Sequence, residues 1–313
     1  MEQPLAGATP LGEQVHLLDT QMGGYDGITA AYLIRSSRPA LVETGAAKSA
    51  QRVIAELAAL GIGPTDLATI VVTHIHLDHA GGVGDLAAAF PQAEIVVHER
   101  GARHLVDPAK LMSSARRVFG DVMDTLFGEL LSTPAHRVRA LGDTGEVDLG
   151  DGRHLTSVYS PGHASHHVGL LDSATGDLYV GDAAGIYIPE ADLLRPATPP
   201  PDFDLDLALT SLQTFQTLAP TRLLFSHYGP APRVEEVLER SQDELRLWVE
   251  LARGCRTAGL DLDHAVAAVR ERTRERYAAL TDDEKWQVLS SDGANMTGIL
   301  HWLERTEPLS PVN

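Results

Sequence analysis

The sequence predicts an α/β fold: two β-sheets with helices outside them, followed by a helical extension. Three observations carry this. Short apolar runs rich in Val, Ile, Leu and Tyr recur in both halves of the first 230 residues. Segments with helical periodicity separate them. Beyond Gly229-Pro230-Ala231-Pro232 the strand signals stop and the remainder reads helical.

Taken in order, Val15 to Leu18, Thr29 to Ile34 and Ala40 to Val42 read as strands, the last closed by the turn Glu43-Thr44-Gly45. From Lys48 to Leu60, Val53, Ile54, Leu57 and Leu60 fall on one helical face, and Gly61 suits a C-cap. Thr69 to Val72 is a continuous apolar run, the mark of a buried strand. A helix at Gly84 to Phe90 and a strand at Glu94 to Val97 follow. Residues 107–131 read as a helical insertion. Its apolar positions Leu111, Val118, Val122 and Leu126 suit a lid, packing on the core, or contact with a second copy in a homodimer. Strands resume at Arg137 to Leu141, His154 to Tyr159, Val168 to Leu171, Leu178 to Val180 and Leu223 to Phe225. The last is preceded by the stiff loop Pro199-Pro200-Pro201 and a helix at Asp206 to Leu218. Helices are expected at Val234 to Leu251, Leu262 to Ala279, around Asp283 to Leu289, and at Met296 to Glu304. Residues 1–230 thus form the main domain and 231–313 a helical one.

Composition bounds the function. With 43 Asp plus Glu against 25 Lys plus Arg, the formal charge is −18. That balance argues against a duplex nucleic acid or an anionic membrane as partner, because phosphate-rich surfaces need a cationic face. One cysteine, Cys255, leaves no internal disulfide and fits a reducing compartment. Met1 to Leu18 lacks the Lys or Arg and the apolar run of a secretory signal, and no stretch approaches a membrane span. The expectation is a cytoplasmic protein acting on a small molecule.

One count departs from this background: 14 histidines. The strand ending at Val72 runs into Thr73-His74-Ile75-His76-Leu77-Asp78-His79-Ala80-Gly81-Gly82, with four metal-ligand types in six positions. On extended backbone His74 and His76 project to the same side. Asp78 and His79 follow as the chain turns toward a helix. Four adjacent groups converge poorly on one ion, so the spacing suits two metals.

This stretch resembles the metallo-β-lactamase-fold hydrolase superfamily, whose signature is His-x-His-x-Asp-His after a strand. Its later motifs stand here in order: Ser160-Pro161-Gly162-His163, Val180-Gly181-Asp182 and Leu224-Phe225-Ser226-His227-Tyr228-Gly229. The arrangement is most like the glyoxalase II group, with lactonases close by. The resemblance implies an αββα sandwich of two mixed sheets over roughly residues 15–230. It implies a first metal held by His74, His76 and His163, a second by Asp78, His79 and His227, and Asp182 bridging both. Taken singly, His163 or His227 also reads as an ordinary buried histidine and Asp182 as a turn former.

Five of the seven residues are imidazoles, for which Zn²⁺, two per chain, is the default, while such sites also accept iron or manganese. The implied chemistry is hydrolysis of a small thioester, lactone or ester by a metal-bridging hydroxide, with Asp78 relaying its proton. A mononuclear iron oxygenase acting on glutathione persulfide is the alternative. His167 is expected to support the site, His166 to lie at the surface. Glu43 stands where the family has Asp. Tyr187 and Tyr228 are either oxyanion donors or, more in keeping with their type, packed aromatics.

Overall fold

The computed structural model describes residues 8–280, 285 and 291–308. Its first sheet has seven strands in chain order: β1 (Thr9–Pro10), β2 (Val15–Asp19), β3 (Ala30–Ile34), β4 (Ala40–Val42), β5 (Thr69–Val71), β6 (Glu94–His98) and β7 (Val138–Leu141). β1 to β4 pair antiparallel, and β4 to β7 pair parallel. The parallel half needs crossovers. These are the helices α1 (Ala50–Ala59), α2 (Leu77–Ala80), α3 (Val83–Ala89), α4 (Glu99–Val106) and α5 (Ala109–Phe119).

The second sheet contains β8 (Thr144–Gly150), β9 (Arg153–Tyr159), β10 (Val168–Asp172), β11 (Asp177–Gly181), β14 (Arg222–Phe225) and β15 (Gly229–Ala231). They lie in the order β15-β14-β11-β10-β9-β8. Between β11 and β14 come a two-stranded ribbon, β12 (Ile186–Ile188) and β13 (Leu193–Arg195), and the helix α6 (Leu205–Leu218).

Strand alternation divides the core in two. Tyr32, Val42, Val71 and Val96 of the first sheet face Leu155, Val168, Tyr179 and Leu224 of the second. There Tyr32 and Tyr179 meet edge to face, with ring centroids 5.3 Å apart. The alternate residues Leu33, Leu41, Ile70 and Ile95 turn outward and pack under the helices, against Val53 and Leu57 of α1 and Leu86 of α3. Strands buried on both faces read as continuous apolar runs, which is why the sequence revealed them.

Elements whose burial is partial were missed. α4 buries only Gly101 and Leu105 of eight residues, too few apolar positions to mark a helical stripe in the sequence. The edge strand β8 buries only Val147 and Leu149. A last strand, β15, pairs with β14 at residues 229–231, where strand signals were expected to stop. The helices beyond it are α7 (Val234–Thr257), α8 (Leu262–Thr273) and α9 (Asp292–Thr306). Leu245, Trp248, Ile299 and Leu303 from them join the same continuous core as the sheet-covering helices. The piece expected around Asp283 to Leu289 lies outside the described residues, apart from Lys285. No described helix is long and apolar enough to cross a membrane.

Candidate metal centre

The loops that follow β4, β5, β9, β11 and β14 meet at one edge of the sandwich. β4 and β5 run parallel, and so do β9, β11 and β14, since β9 and β11 both oppose β10 and β11 parallels β14. Their carboxyl ends bring together Glu43, His74 to His79, His163, Asp182 and His227. All seven predicted ligands are in this cluster.

They form two donor sets. His74 Nε2 and His163 Nε2 lie 3.1 and 2.9 Å from His76 Nδ1. In the second set, Asp78 Oδ2 is 3.3 Å from His227 Nε2 and 3.6 Å from His79 Nε2. Asp182 stands between them: Oδ1 faces His79 Nε2 at 3.3 Å, and Oδ2 faces His163 Nε2 at 3.6 Å. Ligand atoms about 2.1 Å from a tetrahedrally held ion stand roughly 3.4 Å from one another. The observed spacings match that.

Protonation chemistry points the same way. A neutral imidazole carries one N–H, and the partner of its other nitrogen fixes which. His163 Nδ1 donates to the Ala197 carbonyl at 3.0 Å, and His227 Nδ1 donates to the Ile28 carbonyl at 2.7 Å. His74 Nδ1 meets Thr73 Oγ1 at 3.0 Å, and that hydroxyl donates to Glu43 Oε1 at 2.5 Å. The Nε2 lone pairs therefore converge on other lone pairs and on carboxylate oxygens. Among the described residues, Nε2 of buried His79 and Oδ1 of Asp182 have no hydrogen-bond partner. Buried polar atoms are rarely left so. The cluster fits divalent cations.

Burial holds His76 and His163 down to about 4, against an ordinary imidazole value of 6.5. Burial and then His79, His76 and His163 hold His74 well below the ordinary value too. His79 is the opposite case. Burial resists its protonation, but the Asp182 and Asp78 carboxylates outweigh it and raise the ring well above the usual range. Burial likewise resists ionisation of Asp78 and Asp182, and the imidazoles around them prevail, so both carboxyls are held low.

Two glycines permit the convergence. Gly162 has φ 125°, and a Cβ there would fall 2.3 Å from the Ala208 amide, so the turn carrying His163 docks against α6. Gly181 has φ 52°, and its Cβ would strike His167 Nε2 at 2.4 Å. His167 holds Asp182 through the backbone: Nε2 accepts from the Asp182 amide at 3.1 Å, while Nδ1 meets Ser160 Oγ at 2.8 Å.

His166, expected at the surface, is instead half-buried, stacks on His74 and accepts from the Ile75 amide at 3.4 Å. Tyr187 and Tyr228 turn their hydroxyls onto Asp192 and Asp19, as packed aromatics do. Thr73, Ser226 and the carbonyls of Ile28 and Ala197 were missed. A backbone carbonyl leaves no side-chain signal, and a lone Thr or Ser beside a ligand is too common to be one.

A cavity of about 290 Å³ opens beside the donor sets, bordered by His76, Asp78, His163, Asp182 and His227. Its remaining wall is mostly apolar: Met22, Ile28, Leu111, Val118, Phe119 and Phe127 with the Pro199–Pro201 loop. The 107–131 stretch and the proline-rich loop thus both face the site. No Lys or Arg stands among the described residues lining it. The larger hollow, about 870 Å³ between Leu11, Arg222 and Val234, contains none of the seven residues.

Known proteins resemble this chain in sequence and fold. ST1585 of Sulfurisphaera tokodaii, a metallo-beta-lactamase fold-containing protein, is 31% identical over 189 residues, 58% of this chain and 70% of its own length. Its crystal structure superposes with a TM-score of 0.63, covering 76% of this chain and 87% of that one. A metallo-beta-lactamase family protein of Thermus thermophilus, TTHA1429, shares the fold at 21% identity and a TM-score of 0.65, over 95% of both chains. The N-acyl homoserine lactonase AttM of Azorhizobium caulinodans is 33% identical over 125 residues, 38% of this chain and 40% of AttM. The superfamily's sequence model matches residues 24–227, from the loop after β2 to the last histidine of the cluster. With two paired donor sets at the edge of an αββα sandwich, the chain belongs to the metallo-beta-lactamase superfamily.

Proposed function

We propose that the chain is a dinuclear, metal-dependent hydrolase of small lactones, thioesters or esters whose acyl group is apolar, with zinc as its default metal. The observation that carries this is the juxtaposition of two complete donor sets with a mostly apolar cavity lacking a cationic side chain among its described residues. Bound divalent cations in such sets lower the pKa of a water and polarise the carbonyl under attack. His74, His76 and His163 would hold one cation, Asp78, His79 and His227 the other, with Asp182 shared.

Asp78 and Asp182 both border the cavity, and Asp78 is the more open of the two, with its side chain 23% exposed against 7%. It therefore holds and passes on the proton of the attacking water. The apolar wall seats the acyl group and excludes water from the carbonyl. Similarity to the lactonase AttM supports a lactone as one member of the substrate class. The mononuclear iron alternative requires an anionic glutathione persulfide, and this cavity offers such a substrate no counter-ion among the described residues.

The test is metal quantification on the same sample used for a panel of lactones and thioesters of graded acyl length. About two zinc, iron or manganese ions per chain with turnover of apolar members is the expected result. Fully loaded protein that opens no member overturns the reading. About one iron per chain with oxygen uptake replaces it by the oxygenase.

A further inference from the structure

We propose that Asn295, on the C-terminal helix α9, is a positioning residue for His163; the assignment rests on the metal-dependent reading above. The connection runs through one loop. Asn295 Oδ1 accepts from the Thr198 amide at 2.8 Å, and its Nδ2 donates to the Pro196 carbonyl at 3.0 Å. Its backbone carbonyl accepts from Thr198 Oγ1 at 3.1 Å. These three bonds bracket Ala197, whose carbonyl accepts from His163 Nδ1 at 3.0 Å.

Asn295 and Thr198 are both buried, so water does not readily replace the bonds. The helix is pressed onto the loop: a Cβ at Gly298 would lie 1.9 Å from the Thr198 carbonyl oxygen. Asp292, one turn before Asn295, pairs with Arg195 at the start of the same loop and accepts from Arg270 Nε of α8 at 2.6 Å. Backbone and side chains thus fix the loop from one side.

What this secures is the orientation of one ring. The Ala197 carbonyl keeps the proton on His163 Nδ1 and leaves the Nε2 lone pair aimed at His76 and Asp182. The partners orienting three of the other histidine ligands, Thr73 for His74, Glu43 for His79 and Ile28 for His227, belong to the sheet-and-loop framework. His163 is the ligand whose orienting carbonyl is held by the C-terminal helices. The extension is therefore a structural part of the first donor set, besides lining the cavity through Ala294 and Asn295.

The experiment is a competition titration of Zn²⁺ between the full-length chain and a chromophoric chelator, resolved into two sites, with the melting temperature of the metal-free protein recorded alongside. Asn295→Ala should weaken the site of His74, His76 and His163 about tenfold to a hundredfold while the other site stays within about twofold. Cobalt substitution should show an altered ligand-field spectrum for the first site alone. Arg305→Ala is the control. Arg305 anchors the far end of this loop at the Pro201 and Phe203 carbonyls, 3.0 Å each, so its loss should lower the melting temperature and spare both affinities. If Asn295→Ala does not fold, Asn295→Asp, which keeps the acceptor for Thr198 and loses the donor to Pro196, is read in the same way. Equal weakening of both sites, no change in either, or the same loss in Arg305→Ala overturns the assignment. A wild-type chain that binds two metals yet opens no substrate overturns the hydrolase reading and leaves this one standing.

Discussion

Glu43 Oε1 lies 3.6 Å from His79 Nδ1, and the same oxygen accepts from the hydroxyls of Thr73 and Ser226. The carboxylate thus ties three strand ends, those of β4, β5 and β14, to one ligand. The extra methylene that sets Glu43 apart from the superfamily's usual Asp is absorbed while the carboxylate still reaches His79. Glu43→Gln removes the charge that favours a proton on Nδ1 and a free Nε2. Affinity at the Asp78, His79 and His227 site should fall about tenfold to a hundredfold. Chelator competition reads this directly, and an unchanged second site would strip Glu43 of the role.

Asp78→Asn keeps the size of the side chain but not its ability to take up a proton. Turnover should drop about a hundredfold to ten-thousandfold, with the His74, His76 and His163 site still loaded. Metal content and kcat must be measured on one sample. Full turnover at full occupancy would end the proton-relay assignment.

Phe119 rims the cavity while remaining 41% exposed, so its truncation should leave the fold intact. Phe119→Ala is expected to raise KM for long-chain acyl substrates on the order of tenfold, because the end of the acyl chain then stays in water instead of covering the ring. Short-chain members should be little affected. An equal effect across chain lengths would show that Phe119 does not touch the acyl group.

Gly181→Ala should lower unfolding free energy by about 2–4 kcal/mol, because a Cβ at φ 52° meets His167 and Thr73 Oγ1 at 2.4 and 2.6 Å. Denaturant unfolding of the metal-free protein measures it. Wild-type stability in this variant would mean that the Asp182 turn relaxes freely.

Glu56, buried on α1 with Arg52 Nη2 2.9 Å away, has its carboxyl pushed up to about 7 by burial, which outweighs Arg52. The unfolded value is 4.5. Below that both states are protonated; from there to about 7 the unfolded chain ionises while the folded one keeps its proton, so stability falls as pH rises through this window. Glu56→Gln removes the penalty. It should stabilise the chain at pH 8 by about 1–3 kcal/mol and change little near pH 4, by denaturant titration at both pH values. A gain of equal size at both would contradict the raised carboxyl.

Most strands buried on both faces and the first ligand motif were legible because each is a local pattern, a run such as Thr69–Val71 or His74, His76, Asp78 and His79 within six positions, whereas the three-residue β12, though buried throughout, went unread. Partly exposed elements such as α4 and β8 were not legible, since each buries only two residues and so offers too short an apolar pattern.

The sequence by itself therefore determined the alternation of strands and helices that makes two sheets and the ligand cluster His74, His76, Asp78 and His79, while its resemblance to a known family singled out His163, Asp182 and His227. Only the tertiary structure decided which ligand faces which, that Asp182 stands between the two sets, and that α9 reaches the site through Ala197. The reason is physical. Side-chain chemistry and periodicity are written along the chain, whereas a bond from Asn295 to a loop 97 residues away exists only after the sheets and helices have packed.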